Sequence, residues 1–332
     1  MAEADRGGIR VRILLEPRNG ASYDEILALA LATERAGFDA FFRSDHLMGG
    51  NPDNPDYRPT DCWTTLAGLA RDTERIRLGA LMTAATFRSP GLLAAIVASV
   101  DDMSGGRVEM GIGAAWYERE HAAFGLRFPP VKERFDRLEE QLEVITGLWL
   151  AGTSGAGRFS FDGRHYRIED NISPPRVTQR PHPPVIVGGG GPRRTPAIAA
   201  RFAAEFNAAY GGDARSRFAV FARACEAIGR DPATARLSGV LPVACGSTPA
   251  EAARRAAVVQ SPLISDLMVT GPPGLLEDRL AEFAQAGADT VYLHIFDIND
   301  LDHIALIGAE VLPRVRGVTV GTRAFEKGSG TR

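Results

Sequence analysis

Along this chain, short apolar runs alternate with longer stretches in which apolar residues recur every three to four positions. Eight runs have the length and side chains of strands: 11–15, 40–43, 76–82, 108–112, 185–187, 205–209, 237–244 and 290–295. Stretches with helical spacing lie between them, at 23–36, 63–72, 90–103, 131–150, 195–203, 213–228, 249–259 and 274–286. The spacing is clearest in ERFDRLEEQLEVITGLWL, where Phe135, Leu138, Leu142, Ile145 and Leu148 share one face among acids and arginines. The sixth strand, around FNAAY, is short and polar. A ninth helical stretch, 301–312, exceeds what eight strand–helix units need, so one helix is an insertion or an end cap.

Regular βα alternation over this length predicts a (β/α)8 TIM barrel. A doubly wound sheet is the rival, but it calls for GxGxxG in the first βα turn, where EPRNGAS offers only Gly20. One segment breaks the rhythm. GRFSFDGRHYRI sets Asp162-Gly163 between alternating aromatics, the pattern of a tight hairpin, so a β-hairpin insertion is expected at 157–169, between strands four and five. The expectation is one domain over 8–316, with the insertion at about 151–183 and a frayed tail from 317 to 332.

Composition narrows the class. Hydrophobic residues are 45% and charged residues 24%, enough for a large core, and the net charge of −3 argues against a nucleic-acid partner. Three cysteines without CxxC spacing fit neither a disulfide framework nor a zinc clasp. The start, MAEADRGGIR, has no apolar stretch, and the apolar run 92–100 stops at Asp101-Asp102, short of the ~20 residues a bilayer needs. A cytoplasmic protein without membrane association is expected.

In such a barrel, chemistry collects at the carboxyl ends of the strands. After strand two stand Asp45 and His46. A carboxylate beside an imidazole that titrates near neutrality suits proton exchange, and a plain turn with a capping Asp is the alternative. After strand three come Leu81, Met82 and Thr83 and then Arg88, equally readable as a strand end with an arginine ion pair. After strand four, Gly111, Gly113 and Ala114 lead to Trp116 and Tyr117. The glycines allow a flat ligand near the backbone and the indole can wall a pocket, unless this is a tight turn with a core tryptophan. After strand five, Gly188, Gly189, Gly190 and Gly191 precede Pro192-Arg193-Arg194 and a helix. Bare amides, a helix N-terminus and two arginines suit a phosphate. The six histidines show neither i,i+4 pairing nor HExxH, so no metal is expected, and no GxSxG elbow exists. His294, ending strand eight, could face the mouth or sit satisfied in the core. Tyr57, Trp63, Trp116, Phe124 and Phe128 could line an apolar pocket or pack the core.

In combination, SDHL, MTAATFRSP, SGGRVEMGIGAAWYEREHAAFG, FPPVKERFDRLEEQLEVITGLW, FDGRHYR and RPHPPVIVGGGG resemble the luciferase-like flavin and deazaflavin oxidoreductases, across residues 10–315. The resemblance implies a barrel that binds coenzyme F420 or reduced FMN at its mouth, and a homodimer. It implies His46 as proton handler with Asp45 beside it. It implies a non-proline cis peptide at Leu81–Met82 behind the ring, Gly111 to Tyr117 beside ring and chain, and Gly188 to Gly191 on the phosphate. Two departures count against a sugar-phosphate substrate: Ala114 stands where that branch has a glutamate, and a chain whose only lysines are Lys132 and Lys327 lacks its substrate-phosphate lysines. The resulting expectation is an F420-dependent oxidoreductase that moves hydride to or from a small organic substrate, with His46, held by Asp45, exchanging the proton. The alternatives are an FMN-dependent monooxygenase using dioxygen and a cofactor-binding protein without turnover.

Overall fold

A computed structural model of the chain describes residues 8–17, 20–48, 59–155, 157–210, 213–259 and 261–321. Tyr57 and residues 322–332 of the expected tail lie outside the described residues, as does most of the loop that follows His46.

The strands are β1 (Arg10–Leu15), β2 (Ala40–Arg43), β3 (Arg77–Ala84), β4 (Val108–Gly113), β5 (Phe159–Asp162), β6 (Arg167–Asn171), β7 (Val185–Gly188), β8 (Glu205–Tyr210), β9 (Arg236–Cys245), β10 (Val269–Gly271) and β11 (Thr290–Ile295). The helices are α1 (Tyr23–Arg35), α2 (Cys62–Asp72), α3 (Pro90–Met103), α4 (Glu118–Ala123), α5 (Val131–Ser154), α6 (Arg194–Phe202), α7 (Ala214–Glu226), α8 (Pro249–Ala256), α9 (Pro262–Leu267), α10 (Pro273–Gln285), α11 (Leu301–Leu306) and α12 (Leu312–Val315). Nine strands form one sheet in the order β10-β9-β11-β1-β2-β3-β4-β7-β8. Because β8 also pairs with β9, the order closes on itself, the arrangement of a (β/α)8 barrel. Each of the eight expected strands has its counterpart in that ring. The short β10, appended to β9 in parallel, was not expected. The ninth helical stretch is broken: α11 passes through a π turn at Ile307–Val311 into α12.

The chain clusters into two compact units: Met1–Glu16, Asp24–Phe41 and Val187–Arg332 form one, and Pro17–Tyr23 and Phe42–Ile186 the other. In the first, β1, β8, β9 and β11 are buried nearly throughout, as parallel strands covered on both faces must be. Their shared inner face carries a polar cluster. Tyr292 Oη donates to Glu205 Oε1 at 2.8 Å, Ser238 Oγ donates to the same oxygen at 2.7 Å, and Arg12 Nη1 donates to Tyr292 Oη at 3.1 Å. Each buried charge there has a partner, which keeps its desolvation affordable. On the outer layer Arg255 donates to Asp300 from Nε at 2.8 Å and from Nη2 at 3.0 Å, fixing the start of α11.

In the second unit α5 lies along α3, with Trp149 Nε1 donating to the Ala94 carbonyl at 2.9 Å. The antiparallel pair β5–β6 forms its own two-stranded sheet. Glu140 of α5 accepts from the amides of Arg164, His165 and Tyr166 at 3.0, 2.8 and 3.1 Å, which holds the turn between those strands on the helix. Among the described residues no helix is long and apolar enough to cross a membrane.

Candidate active site

The second unit gathers most of the expected site residues. Where β2 ends, the buried Arg43 donates to Thr60 Oγ1 at 2.9 Å and Thr65 Oγ1 at 2.8 Å, which fixes the start of the following loop. Asp45 and His46 come next, and their side chains go to different partners. Asp45, 1% exposed, takes a two-point ion pair from Arg88, with Nη1 2.6 Å from Oδ2 and Nη2 3.3 Å from Oδ1. Arg88 also binds Asp61, the N-cap of α2. Burial works against the Arg88 charge, but Asp45, by charge and hydrogen bond, outweighs it and Asp61 adds to the effect, so Arg88 is raised above the ordinary arginine value.

His46 turns instead to Glu120 on α4. Its Nδ1 lies 3.1 Å from Oε2 and 3.3 Å from Oε1. Glu120, 1% exposed, also accepts the amides of Leu47 and Met48, the latter at 2.8 Å. One buried carboxylate therefore holds both the imidazole and the backbone that follows it. With Nδ1–H donating to that carboxylate, the neutral ring presents Nε2 as its basic nitrogen. The expectation that Asp45 holds His46 is corrected: Asp45 anchors Arg88, and Glu120 orients the ring. Adjacency in sequence favoured Asp45, whereas Glu120 lies 74 positions away.

Across from this loop, β3 and β4 lose their regular register between Ala80 and Thr83, and the Leu81–Met82 peptide is cis. Thr83 is buried, and its Oγ1 accepts from Trp63 Nε1 at 2.8 Å. Gly111 has a structural cause. A Cβ there would sit 2.2 Å from the Ala80 carbonyl oxygen, so the strand beside the bulge admits only glycine. This packing demand requires glycine at 111 in addition to any room it leaves for a flat ligand.

Beyond Gly113 the chain turns through Ala114 and Ala115, the latter at φ 65°, and Arg134 Nη1 donates to the Ala115 carbonyl at 2.6 Å. Trp116 and Tyr117 stack with ring centroids 5.1 Å apart. Both stand edge-on to His46, at 5.6 and 6.4 Å. Trp116 is 63% exposed, so it is a surface aromatic beside the histidine and not a core residue. Trp63, by contrast, is core, and Phe128 packs against His121 and under Arg134.

The glycine run ends β7 in the first unit. Gly189 adopts φ 139°, which disfavours any side chain, and its amide meets the Asn207 carbonyl at 3.4 Å. A Cβ at Gly190 would meet nothing within 4 Å. The helix that follows, α6, opens at Arg193 and Arg194 with no side-chain cap and no acid in its first turn. Open backbone, an uncapped helix start and two guanidinium groups form a donor set that fits a phosphate. Among the described residues no cluster of three or more His, Cys, Asp or Glu could hold a metal.

Residues 9–286 match the family model described as luciferase-like monooxygenase. The chain belongs to that family. An F420-dependent glucose-6-phosphate dehydrogenase of Microbacterium testaceum is 33% identical over 191 residues, 57% of this chain and 54% of that protein. An FMNH(2)-dependent dimethylsulfone monooxygenase of Pseudomonas putida is 31% identical over 176 residues, 53% of this chain and 46% of the other. The match thus spans about half the length of these curated luciferase-like relatives. The solved coenzyme F420-dependent tetrahydromethanopterin reductase of Methanopyrus kandleri superposes with a TM-score of 0.75 at 19% identity, covering 93% of this chain and 99% of that one, a likeness of fold.

Sequence reasoning missed Glu120. Its signal was the acid-rich EREH turn directly after the strand-four loop, which puts a carboxylate on a helix facing that loop.

Proposed function

We propose that this family member is an F420-dependent oxidoreductase that transfers hydride to or from a small organic substrate, with His46 exchanging the accompanying proton. The observation that carries the reading is the pairing of His46 Nδ1 with the buried Glu120 carboxylate, which leaves Nε2 as the exchanging atom. The F420-dependent relatives support the choice of cofactor.

When bound, the deazaflavin supplies the hydride chemistry. The chain's own residues bind and orient. Gly188 to Gly191 and the start of α6, with Arg193 and Arg194, are assigned to the phosphate. Leu81, Met82 and Thr83 are assigned to the back of the ring, and the loop from Gly111 and Gly113 through Ala114 to Trp116 and Tyr117 to its side. Glu120 fixes the His46 tautomer, and a histidine so held contributes about 10² to 10⁴ in rate. Asp45 supports the site through Arg88. The three free, buried cysteines support a reducing compartment, so the reading includes a cytoplasmic enzyme, and the homodimer implied by the sequence resemblance is part of it.

The FMN-dependent monooxygenase reading is favoured by the dimethylsulfone monooxygenase relative. Titration of the purified protein with F420 and with FMN, followed by assays of hydride transfer and oxygen uptake, separates the two. Tight F420 binding with hydride transfer and no oxygen consumption supports the proposal. FMN binding with substrate-dependent oxygen uptake overturns it.

A further inference from the structure

Side-chain contacts join three segments of the second unit in a closed circuit. Asp45, after β2, binds Arg88 in the turn that follows β3. In that same turn Thr86 Oγ1 lies 2.6 Å from Nε2 of His121 on α4. Glu120, the neighbour of His121, reaches back from α4 to Nδ1 of His46, the residue next to Asp45. The circuit thus begins and ends on adjacent residues, and Thr86–His121 is its one link without a carboxylate.

His121 is 1% exposed, and its ring packs between Phe87 and Phe128, with centroids 5.1 and 4.7 Å away. Its Nδ1 lies 2.8 Å from the Tyr117 carbonyl. A carbonyl oxygen only accepts, so Nδ1 carries the proton and Nε2 of the neutral ring accepts the Thr86 hydroxyl. One imidazole therefore fastens the turn after β3 to the loop after β4. Arg134 holds that loop at the Ala115 carbonyl, so its backbone is anchored on both sides of Trp116, whose ring stands beside His46. The turn after β3 is braced in its own right, because Gln141 Nε2 on α5 donates to the carbonyls of Ala85 and Arg88, the latter at 3.0 Å. By contrast α4 has six residues, too few to be stable without tertiary contacts, so its anchors decide where Glu120 stands.

We propose that His121 is a positioning residue for the proton exchange assigned to His46: by tying α4 to the Thr86 turn it sets where Glu120 meets His46, and with that the tautomer that leaves His46 Nε2 bare. The inference rests on the proton-exchange reading above. Glu120 selects one tautomer only while its carboxylate stays within hydrogen-bond reach of Nδ1. The contact is already 3.1 Å long, and a shift of about 1 Å takes it out of reach. A ring released from Glu120 redistributes its proton between the two nitrogens. Because the His121 ring is closed to water, losing the Thr86 hydroxyl leaves a buried Nε2 without a partner, and α4 moves to relieve it.

The test labels the histidine rings with carbon-13 and reads the Cδ2 chemical shift, which differs between the two tautomers, in mildly alkaline buffer where histidine is neutral. His46→Gln identifies the His46 signal, and the readout needs neither cofactor nor substrate. In the wild type His46 should show the Nδ1–H form. Thr86→Val, which deletes the hydroxyl and keeps the shape, should move the His46 signal toward the other tautomer, and Thr86→Ser, which keeps the hydroxyl, should leave it at the wild-type position. His121→Phe should move it at least as far as Thr86→Val, which carries the test alone should the buried substitution fail to fold. A link that serves stability only predicts a lower melting temperature with His46 unmoved, and that result in folded Thr86→Val overturns the proposal. So does a Thr86→Ser spectrum that matches Thr86→Val, or a wild-type His46 in the Nε2–H form. Titration of the wild type with F420 tests the reading beneath separately: a protein that binds no F420 removes that reading, while the His46 signal still decides whether His121 positions the ring.

Discussion

Glu120 binds three donors at once, the Nδ1 of His46 and the amides of Leu47 and Met48, from a position almost fully closed to water. Asp45, the nearer acid in sequence, spends its charge on Arg88. Asp45 after β2 and Glu120 on α4 thus divide support from orientation, and substitution at each should read out differently.

Glu120→Gln keeps an acceptor for the two amides but loses the charge that fixes the imidazole. The expected result is a kcat lower by about 10- to 100-fold with little change in F420 affinity, measured by steady-state kinetics and titration. Asp45→Asn leaves the cation of Arg88 to Asp61 alone and should act on stability, costing about 3 kcal/mol in urea unfolding.

Two glycines should separate folding from binding. At Gly111 an added Cβ meets the backbone oxygen of Ala80, which cannot yield, so Gly111→Ala should cost about 3 kcal/mol or abolish soluble expression. At Gly190 the space is open, so Gly190→Ala should leave the melting temperature unchanged and weaken F420 binding about tenfold, by crowding the phosphate.

Stability should depend on His303. Burial, with Arg255 beside it, lowers its pKa from 6.5 to about 4, and its Nε2 accepts the Cys245 amide at 3.0 Å in the neutral form. The unfolded chain binds the proton first as pH falls, so the stabilisation is complete above 6.5 and is lost on the way down to 4. Chemical unfolding should show a loss of up to about 3 kcal/mol over that window. His303→Gln, which keeps an acceptor without titrating, should flatten it. Asp300, held well below the usual carboxylate range by its hydrogen bond from Arg255, stays ionised throughout the window.

The cysteines should be silent in the native state. All three are buried, and burial raises the thiol pKa of each, that of Cys245 to about 11. An aromatic disulfide reagent at pH 8 should find no reactive thiol within minutes in the folded protein, and Cys62, Cys225 and Cys245 after addition of denaturant.

The barrel was legible because buried parallel strands are nearly unbroken apolar runs and their helices keep a 3.6-residue period. Even the polar Glu205–Tyr210 segment took its place, since Glu205 and Asn207 find partners on the inner face. The β10 strand, three residues with one glycine, carries no alternation to detect, and the helix ending in α12 hides a π turn that no side-chain pattern announces. At the site, residue types at strand ends pointed to His46 and to the glycine run. The assignment of partners failed where it relied on nearness along the chain, because hydrogen bonds between loops are set by tertiary packing. The cause of Gly111 was hidden for the same reason: the bulge it accommodates belongs to the neighbouring strand.

The central claim is that His46, oriented by Glu120, exchanges the proton in an F420-dependent hydride transfer. The most direct measurement is the kcat of His46→Ala beside its dissociation constant for F420. The account predicts a kcat lower by about 10² to 10⁴-fold with F420 affinity within twofold of wild type. An unchanged kcat, or a loss confined to F420 binding, would contradict it.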